Sequence, residues 1–162
     1  MRNDVSHYLL CEAVNKYSGM LLRIAFHHTQ NYADAEDITQ ETFLALMKNP
    51  CAIEEQSLKA WLIRVTINKC RDLRRTAARQ KNVALAAAVG KCNFDAEDLG
   101  VIECINKLKP IERDIVYLHY FEGFSAKVTG ELLGKSEGMV FTRLKRIRIK
   151  LKNILEDENE QV

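Results

Sequence analysis

The stretch that decides the fold is FSAKVTGELLGKSEGMVFTRLKRIRIKL, residues 124–151. Ser125 and Ser136 are of the type that caps helix N-termini, and Gly134 lies between the two segments that they would begin. This pattern predicts a short helix over 126–133, a tight turn at Gly134 and a second, basic helix after Ser136. Two short helices joined by a tight turn that contains glycine are typical of a helix-turn-helix.

In a helix-turn-helix, the second helix lies in the DNA major groove, and its N-terminal residues are nearest the bases. Arg143 is suited to guanine because its guanidinium matches O6 and N7 together, and Glu137 offers an acceptor to a cytosine amine. Arg146 lies further along the helix, where phosphate is the expected contact. The alternative interpretation is an ordinary helical hairpin with a basic surface. The full set of candidate DNA-binding residues here is Ser136, Glu137, Met139, Val140, Thr142, Arg143 and Arg146.

The rest of the chain also predicts helices. Residues 8–28 have a 3.6-residue apolar period, Asp34 is a possible cap for a second helix that ends near Asn49, and Ser57 is a possible cap for a third that ends near Arg79. Pro110 fits the first turn of a later helix. We therefore predict an all-α fold of two small helical domains joined by a linker. The predicted parts are a first domain (1–81), a linker (82–100), a second domain with the helix-turn-helix (101–155) and an acidic tail (156–162).

The composition, with 47% hydrophobic and 28% charged residues in 162, is that of a folded, water-soluble chain. No apolar run approaches the roughly 18 residues that span a bilayer, and the N-terminus does not resemble a secretory signal. We therefore expect a cytoplasmic protein without direct membrane insertion. The five cysteines form no C-x-x-C pair, so we expect free, mostly buried thiols and no metal site.

The net charge is only +2, but the basic residues cluster in two places. Six bases between 69 and 81 have Asp72 as their only acidic neighbour in that stretch, and a second basic run covers 135–152. Such helices attract polyanions, although bases near a helix C-terminus also suit the helix dipole. Because there are two separate runs, we favour nucleic acid as the partner.

The chain resembles the bacterial extracytoplasmic-function (ECF) sigma factors over about nine-tenths of its length. Three stretches are similar to region 4 of that family: LKPIERDIVYLHYFEGFS (108–125), ELLGKSEGMV (131–140) and TRLKRIRIKL (142–151). DAEDITQETFLALMKN (34–49) and LKAWLIRVTINKCRDLRR (58–75) are similar to region 2. The resemblance implies a sigma subunit that binds core RNA polymerase and directs it to promoters, with no catalytic residue and no cofactor of its own.

The resemblance also implies roles for individual residues. Region 2 of the family docks on the β′ clamp of polymerase, region 4 contacts the β flap, and a cognate anti-sigma protein is implied. The loop 49–56 corresponds to the segment that captures a flipped base, and the second helix of the helix-turn-helix reads the −35 element. The matching core-binding positions are Asp34, Glu36, Asp37, Gln40, Glu41 and Phe43, acids that also suit a helix N-terminus. The matching −10 positions are Trp61, Arg64, Asn68, Arg71, Asp72, Arg74 and Arg75.

Several positions depart from the family pattern. Thr129 and Gly130 stand where an apolar residue and alanine are usual, and Phe141 replaces a frequent lysine. These changes predict a weakened or tilted reading helix. Trp61 has the spacing of a core residue as well as the chemistry of a stacking platform.

Two other function classes stay open from the sequence. One is a stand-alone helix-turn-helix regulator that acts without joining polymerase. The other is a metal-dependent enzyme that uses His27 and His28, although adjacent helical residues point about 100° apart and do not converge on one ion.

Overall fold

A computed structural model describes residues 2–49, 55–79 and 103–160. Every secondary-structure element in these residues is helical, which confirms the all-α prediction. The described residues divide into two compact units, one within 1–92 and the other within 93–162. The predicted linker 82–100 and most of the predicted base-capture loop 49–56 lie outside the described residues.

The first unit consists of three long helices: α1 (Arg2–Thr29), α2 (Tyr32–Lys48) and α3 (Glu55–Arg79), each of which packs on the other two. Their shared core contains large, fully buried aliphatic side chains, and the hydroxyls of Thr42 and Thr66 lie 3.2 Å apart within it. Since each buried hydroxyl has a partner in the other, the two threonines link α2 to α3 without an unsatisfied polar atom. The main core side chains are Leu21, Ile24, Leu62, Ile63 and Ile67.

Two of the expected helix caps in this unit are wrong. Asn31, rather than Asp34, caps α2, and its side chain accepts a hydrogen bond of 3.1 Å from the Asp34 backbone N–H. Asp34 therefore lies in the first turn, where its charge still suits the helix dipole. Ser57 lies inside α3, because that helix already includes Glu55.

The second unit is built around the predicted helix-turn-helix. Helix α4 (Pro110–Val116) continues into a π-helical turn (Tyr117–Phe121), followed by α5 (Ala126–Leu133) and α6 (Glu137–Glu160). Pro110 opens α4 as predicted. The core between these helices and a helical turn over 103–106 contains Ile105, Ile115, Leu118, Leu133, Val140, Leu144 and Ile147.

The predicted caps of the helix-turn-helix are confirmed. Ser125 accepts from the Val128 N–H at 3.2 Å, and Ser136 accepts from the Met139 N–H at 3.2 Å. Gly134 ends α5 in the left-handed conformation, with φ of +66°. Helix α6 continues to Glu160, so residues 156–160 of the predicted acidic tail extend this helix.

The departure at Gly130 has a structural explanation. A Cβ atom at this position would lie 2.6 Å from the Lys135 carbonyl oxygen, so alanine would force the turn to move. Glycine costs about 1 kcal/mol of helix stability relative to alanine at this position. In return, the turn approaches α5 more closely than a Cβ atom would allow. The structure shows a tightly fitted turn here, and the weakened or tilted reading helix stays a prediction.

Thr129, the neighbouring departure, is fully buried, and its hydroxyl oxygen has no hydrogen-bond partner. We expect Thr129→Val, which keeps the side-chain shape, to stabilise the second unit by about 1 kcal/mol, because it removes an unsatisfied buried hydroxyl. Thermal unfolding followed by circular dichroism checks this. Trp61, the single tryptophan, lies in the first unit, so its fluorescence transition serves as an internal control. A lower melting temperature for the variant would contradict the expectation.

The structure also bears on the other expectations. Among the described cysteines, Cys70 and Cys104 are buried as expected, whereas Cys11 is exposed. His27 and His28 are both buried in the last turn of α1. Within the described ranges, no group of three or more His, Cys, Asp or Glu side chains is placed to hold a metal ion. None of the described helices is long and apolar enough to cross a membrane.

Candidate nucleic-acid interface

Helix α6 presents one buried row and one exposed row of side chains. Val140, Leu144 and Ile147 pack into the core of the second unit. The solvent-facing row carries two basic residues and one acidic residue, together with an aromatic residue and a glycine near its N-terminal end. We call this row the outer face of α6, and it contains Glu137, Gly138, Phe141, Thr142, Lys145 and Arg146.

The candidate base-reading residues divide between these two rows. Glu137, Thr142 and Arg146 are exposed, and the Thr142 hydroxyl donates to the Gly138 carbonyl at 2.9 Å. Met139 is half-buried, and Ser136 is exposed with its hydroxyl engaged as the helix cap. Val140 is 0% exposed, so its side chain belongs to the core and cannot reach a base.

Arg143 is held by a buried carboxylate. Glu112 on α4 is only 1% exposed, and its carboxylate lies 3.7 Å from the Arg143 guanidinium. The ammonium of Lys150 donates to both oxygens of the same carboxylate, at 2.7 and 2.9 Å, and the Lys109 backbone N–H donates at 3.0 Å. The Glu112 network of these four residues thus ties α4 to α6 and restrains Arg143 from one side.

The protonation of Glu112 follows from these partners. Burial raises the pKa of its carboxyl. The hydrogen bonds from Lys150 and from the Lys109 backbone, together with the charges of Lys150 and Arg143, lower that pKa by more than burial raises it. The net result is a pKa below the ordinary value for glutamate. Glu112 is therefore ionised at neutral pH, and its charge is balanced by cations on α6.

Helix α3 carries the second basic surface. Its buried side packs against α1 and α2, and all of the −10 candidates except Arg74 lie on the opposite side. Because the helix has 3.6 residues per turn, five of them lie on one line along it: Trp61, Arg64, Asn68, Arg71 and Arg75. The residues on this line are exposed or half-buried, and Trp61 is half-buried. We call this line the α3 basic row.

Two candidates lie beside the α3 basic row. Asp72 makes an exposed ion pair of 3.5 Å with Arg75. Arg74 is exposed, but it lies about 100° around the helix from the centre of the line. Arg74 is thus placed to contact a different part of a bound partner from the other bases.

Helix α2 presents a third, acidic surface. Glu36, Asp37, Gln40 and Glu41 are exposed, and Asp34 and Phe43 are half-buried. Glu41 makes an ion pair of 3.0 Å with Lys69 on α3. A groove between α2 and α3 is lined by four carboxylates and by Lys69, so negative charge predominates at that edge of the unit; the carboxylates are those of Asp34, Asp37, Glu41 and Asp72.

The structure adds two residues to this acidic surface that were not singled out from the sequence. Leu44 is 51% exposed and Met47 is 54% exposed, one and two turns after Gln40 on the outer side of α2. Leu44 follows Gln40 by four residues and Met47 follows Leu44 by three, and this helical spacing was the available signal. We call Asp37, Gln40, Glu41, Leu44 and Met47 the α2 docking face; it combines charge with apolar area, as protein interfaces commonly do.

Comparisons with known proteins agree with this arrangement. The family described as Sigma-70 region 2 matches residues 13–80, and the family described as Sigma-70, region 4 matches residues 99–151. The ECF RNA polymerase sigma factor SigE of Mycolicibacterium smegmatis is 30% identical over 157 residues, a match that covers 89% of this chain and 60% of SigE. The chain thus spans less than two thirds of that relative.

Two solved structures are similar in fold. The sigma factor RpoE of Bartonella quintana, determined in complex with the anti-sigma factor NepR, has a TM-score of 0.72 and 23% identity, covering 90% of this chain and 95% of RpoE. CnrH, determined in complex with the cytosolic domain of CnrY, has a TM-score of 0.70 and 26% identity, covering 93% and 90% of the two chains. With both regions matched in order along one helical chain, this protein belongs to the ECF sigma factors.

Proposed function

We propose that this chain is a sigma subunit that binds core RNA polymerase and directs it to specific promoters. The observation that carries this proposal is the presence of two exposed basic helix faces, one in each unit, in a chain that matches both sigma regions. In this proposal the domain 1–81 binds core polymerase and the −10 element, residues 82–100 form the linker, and the domain 101–155 binds the −35 element. Polymerase supplies the active site, so the chain needs no catalytic residue or cofactor, and it acts in the cytoplasm.

The α2 docking face is the proposed contact with the β′ clamp of polymerase. Its carboxylates attract a basic partner surface, and its exposed leucine and methionine supply apolar area that such a contact would bury. Glu36, Asp34 and Phe43 border this face. The second unit is proposed to contact the β flap.

The α3 basic row is the proposed −10 surface. Arg64, Arg71 and Arg75 supply charge for the DNA backbone, and Asn68 supplies a side chain able to read a base edge. Half-buried Trp61 at the start of the row keeps part of its ring available for stacking.

The outer face of α6 is the proposed −35 surface. Glu137, Thr142 and Arg146 are exposed there, whereas Ser136 acts mainly as the helix cap. Arg143 is half-buried, and part of its charge is already balanced by Glu112, 3.7 Å away. We therefore expect Arg146, which is exposed, to contribute more than Arg143 to base or phosphate contacts at the −35 element.

An anti-sigma protein is a further proposed partner. Support comes from RpoE, whose solved structure contains the anti-sigma factor NepR. The exposed faces of α2 and α3 are surfaces that such a partner could cover, which would block polymerase and promoter together.

The experiment that tests the proposal is gel filtration of the purified chain with bacterial core RNA polymerase. We expect co-elution, and sequence-specific DNA binding by the resulting complex. The alternative, a stand-alone helix-turn-helix regulator, predicts specific duplex binding by the chain alone and separate elution from polymerase. A folded chain that elutes apart from core polymerase would contradict the proposal.

A second prediction concerns the −10 surface. Replacing Arg71, Arg74 and Arg75 by alanine removes up to three phosphate contacts, each of which releases about one counterion. We expect the slope of log K against log salt concentration for holoenzyme binding to promoter DNA to become shallower by about two to three units. Filter binding at several salt concentrations measures this slope.

The matched control replaces three exposed bases elsewhere in the first unit. The Lys16→Ala/Arg23→Ala/Lys48→Ala variant changes the net charge equally, but none of these residues belongs to the α3 basic row. Its slope should stay at the wild-type value. Equal slopes for all three proteins would show that the α3 arginines do not contact phosphate.

A further inference from the structure

Phe141 is an exposed aromatic residue in a basic setting. Its side chain is 57% exposed on the outer face of α6, five positions into the helix. On this face Glu137 precedes it by one turn and Lys145 follows it by one turn. Arg148, two turns later, is exposed and donates to the Tyr120 hydroxyl at 2.8 Å. An apolar ring in this place adds nothing to the core, which is formed by the opposite row of the helix.

The surroundings limit what the ring can contact. The basic side chains near it favour a polyanion, and Phe141 itself has no hydrogen-bond donor or acceptor. In the major groove of DNA, the apolar group available to such a ring is the C5-methyl of thymine, which lies within reach of side chains between the two phosphate backbones. Duplex DNA with a thymine at this place therefore offers phosphates to the basic side chains and a methyl group to the Phe141 ring.

Gly138 gives this contact room. It lies one turn before Phe141 on the same face, and a Cβ atom added there would have no other atom within 4 Å. Packing therefore does not require glycine at this position. Because glycine has no side chain, the helix surface next to the ring is open to solvent. This is the N-terminal end of α6, which lies nearest the bases in a helix-turn-helix.

We propose that Phe141 is a specificity-determining residue that reads the C5-methyl group of one thymine in the −35 element. This inference rests on the proposed promoter recognition by α6, and it adds the base and the chemical group that are read. Because the ring cannot hydrogen-bond, its preference arises from apolar contact alone, and it extends to any base that carries a methyl group at that place in the groove.

The test removes the methyl group and nothing else. Holoenzyme assembled from the full chain and core polymerase first selects its −35 sequence from randomised DNA. Each thymine of the selected element is then replaced by deoxyuridine, one at a time. At one position we expect about fourfold weaker binding by the wild type, the effect of losing one buried methyl group, and equal binding of thymine and deoxyuridine by Phe141→Ala.

Ile149→Ala is the matched control, because Ile149 is 55% exposed on the same helix but lies two turns further along. It should keep the wild-type preference for thymine over deoxyuridine. Wild-type holoenzyme that binds its selected DNA equally with either base would overturn the inference and leave the proposed function standing. A preference that persists in Phe141→Ala would likewise overturn it, by assigning the methyl contact to another residue. Holoenzyme that selects no sequence would overturn the proposed function, and this inference with it.

Discussion

The Asp37→Lys/Glu41→Lys variant should lose its assembly with core RNA polymerase. Both carboxylates lie on the exposed outer side of α2, so their replacement reverses the charge of the α2 docking face without touching the core. Like charges brought together at an interface cost several kcal/mol, and every 1.4 kcal/mol is a factor of ten in affinity. We therefore expect affinity to fall by at least about a hundredfold, measured by co-elution and by titration of labelled chain with core polymerase.

The control for this variant makes the same change of net charge on other exposed carboxylates. Glu12 lies on α1 and Glu103 lies in the second unit; both are exposed, and neither belongs to the α2 docking face. The Glu12→Lys/Glu103→Lys variant should co-elute as the wild type does. Glu41 also forms the exposed ion pair with Lys69, so circular dichroism must show that both variants stay folded. Wild-type affinity in the α2 variant would remove this face from the proposed interface.

The largest expected loss of stability follows Glu112→Gln. This change removes the charge at the centre of the Glu112 network and leaves Lys150 and Arg143 without their shared counter-ion. Breaking a buried ion pair by removing one partner commonly costs 3–5 kcal/mol; because Lys150 is 45% exposed and can be rehydrated, we expect about 3 kcal/mol. Urea unfolding followed by circular dichroism should show an earlier transition for the second unit, with the Trp61 fluorescence transition of the first unit unchanged.

The same residue predicts a dependence on pH. Since the pKa of Glu112 is lowered in the folded state, its ionised form stabilises the second unit above the unfolded-state pKa, and this contribution is lost as pH falls through the folded-state value. The wild type should therefore lose stability below about pH 4.5 more steeply than Glu112→Gln does. Glu131→Gln, at an exposed carboxylate on α5, is the control and should follow the wild type. Parallel pH profiles for wild type and Glu112→Gln would contradict this role.

Much of the fold could be predicted because its signals are local. Ser125, Gly134 and Ser136 act within three residues of themselves, and the structure places each at the helix end expected. Asp34 was the expected cap of α2, whereas Asn31 is the actual one; both residue types cap helices, and only the backbone geometry distinguishes them.

The parts of the site that could not be predicted depend on contacts distant in sequence. Glu112 and Lys150 are 38 residues apart, so no local pattern reveals that Glu112 restrains Arg143. The burial of Val140 depends on which side of α6 faces the core, and that side is set by α4 and α5. Leu44 and Met47 follow Gln40 at helical spacing, but leucine and methionine are usually buried, so their exposure in the structure was needed to assign them to the α2 docking face.

The most direct test of the sigma proposal is transcription in vitro from fragmented genomic DNA of the source organism. Core polymerase is supplied alone or with the purified chain, and RNA 5′ ends are mapped in both reactions. We predict a set of new 5′ ends that requires the chain, preceded by shared −10 and −35 sequences, and that disappears with Asp37→Lys/Glu41→Lys. The same 5′ ends with and without the folded chain would contradict the proposal that it is a sigma subunit.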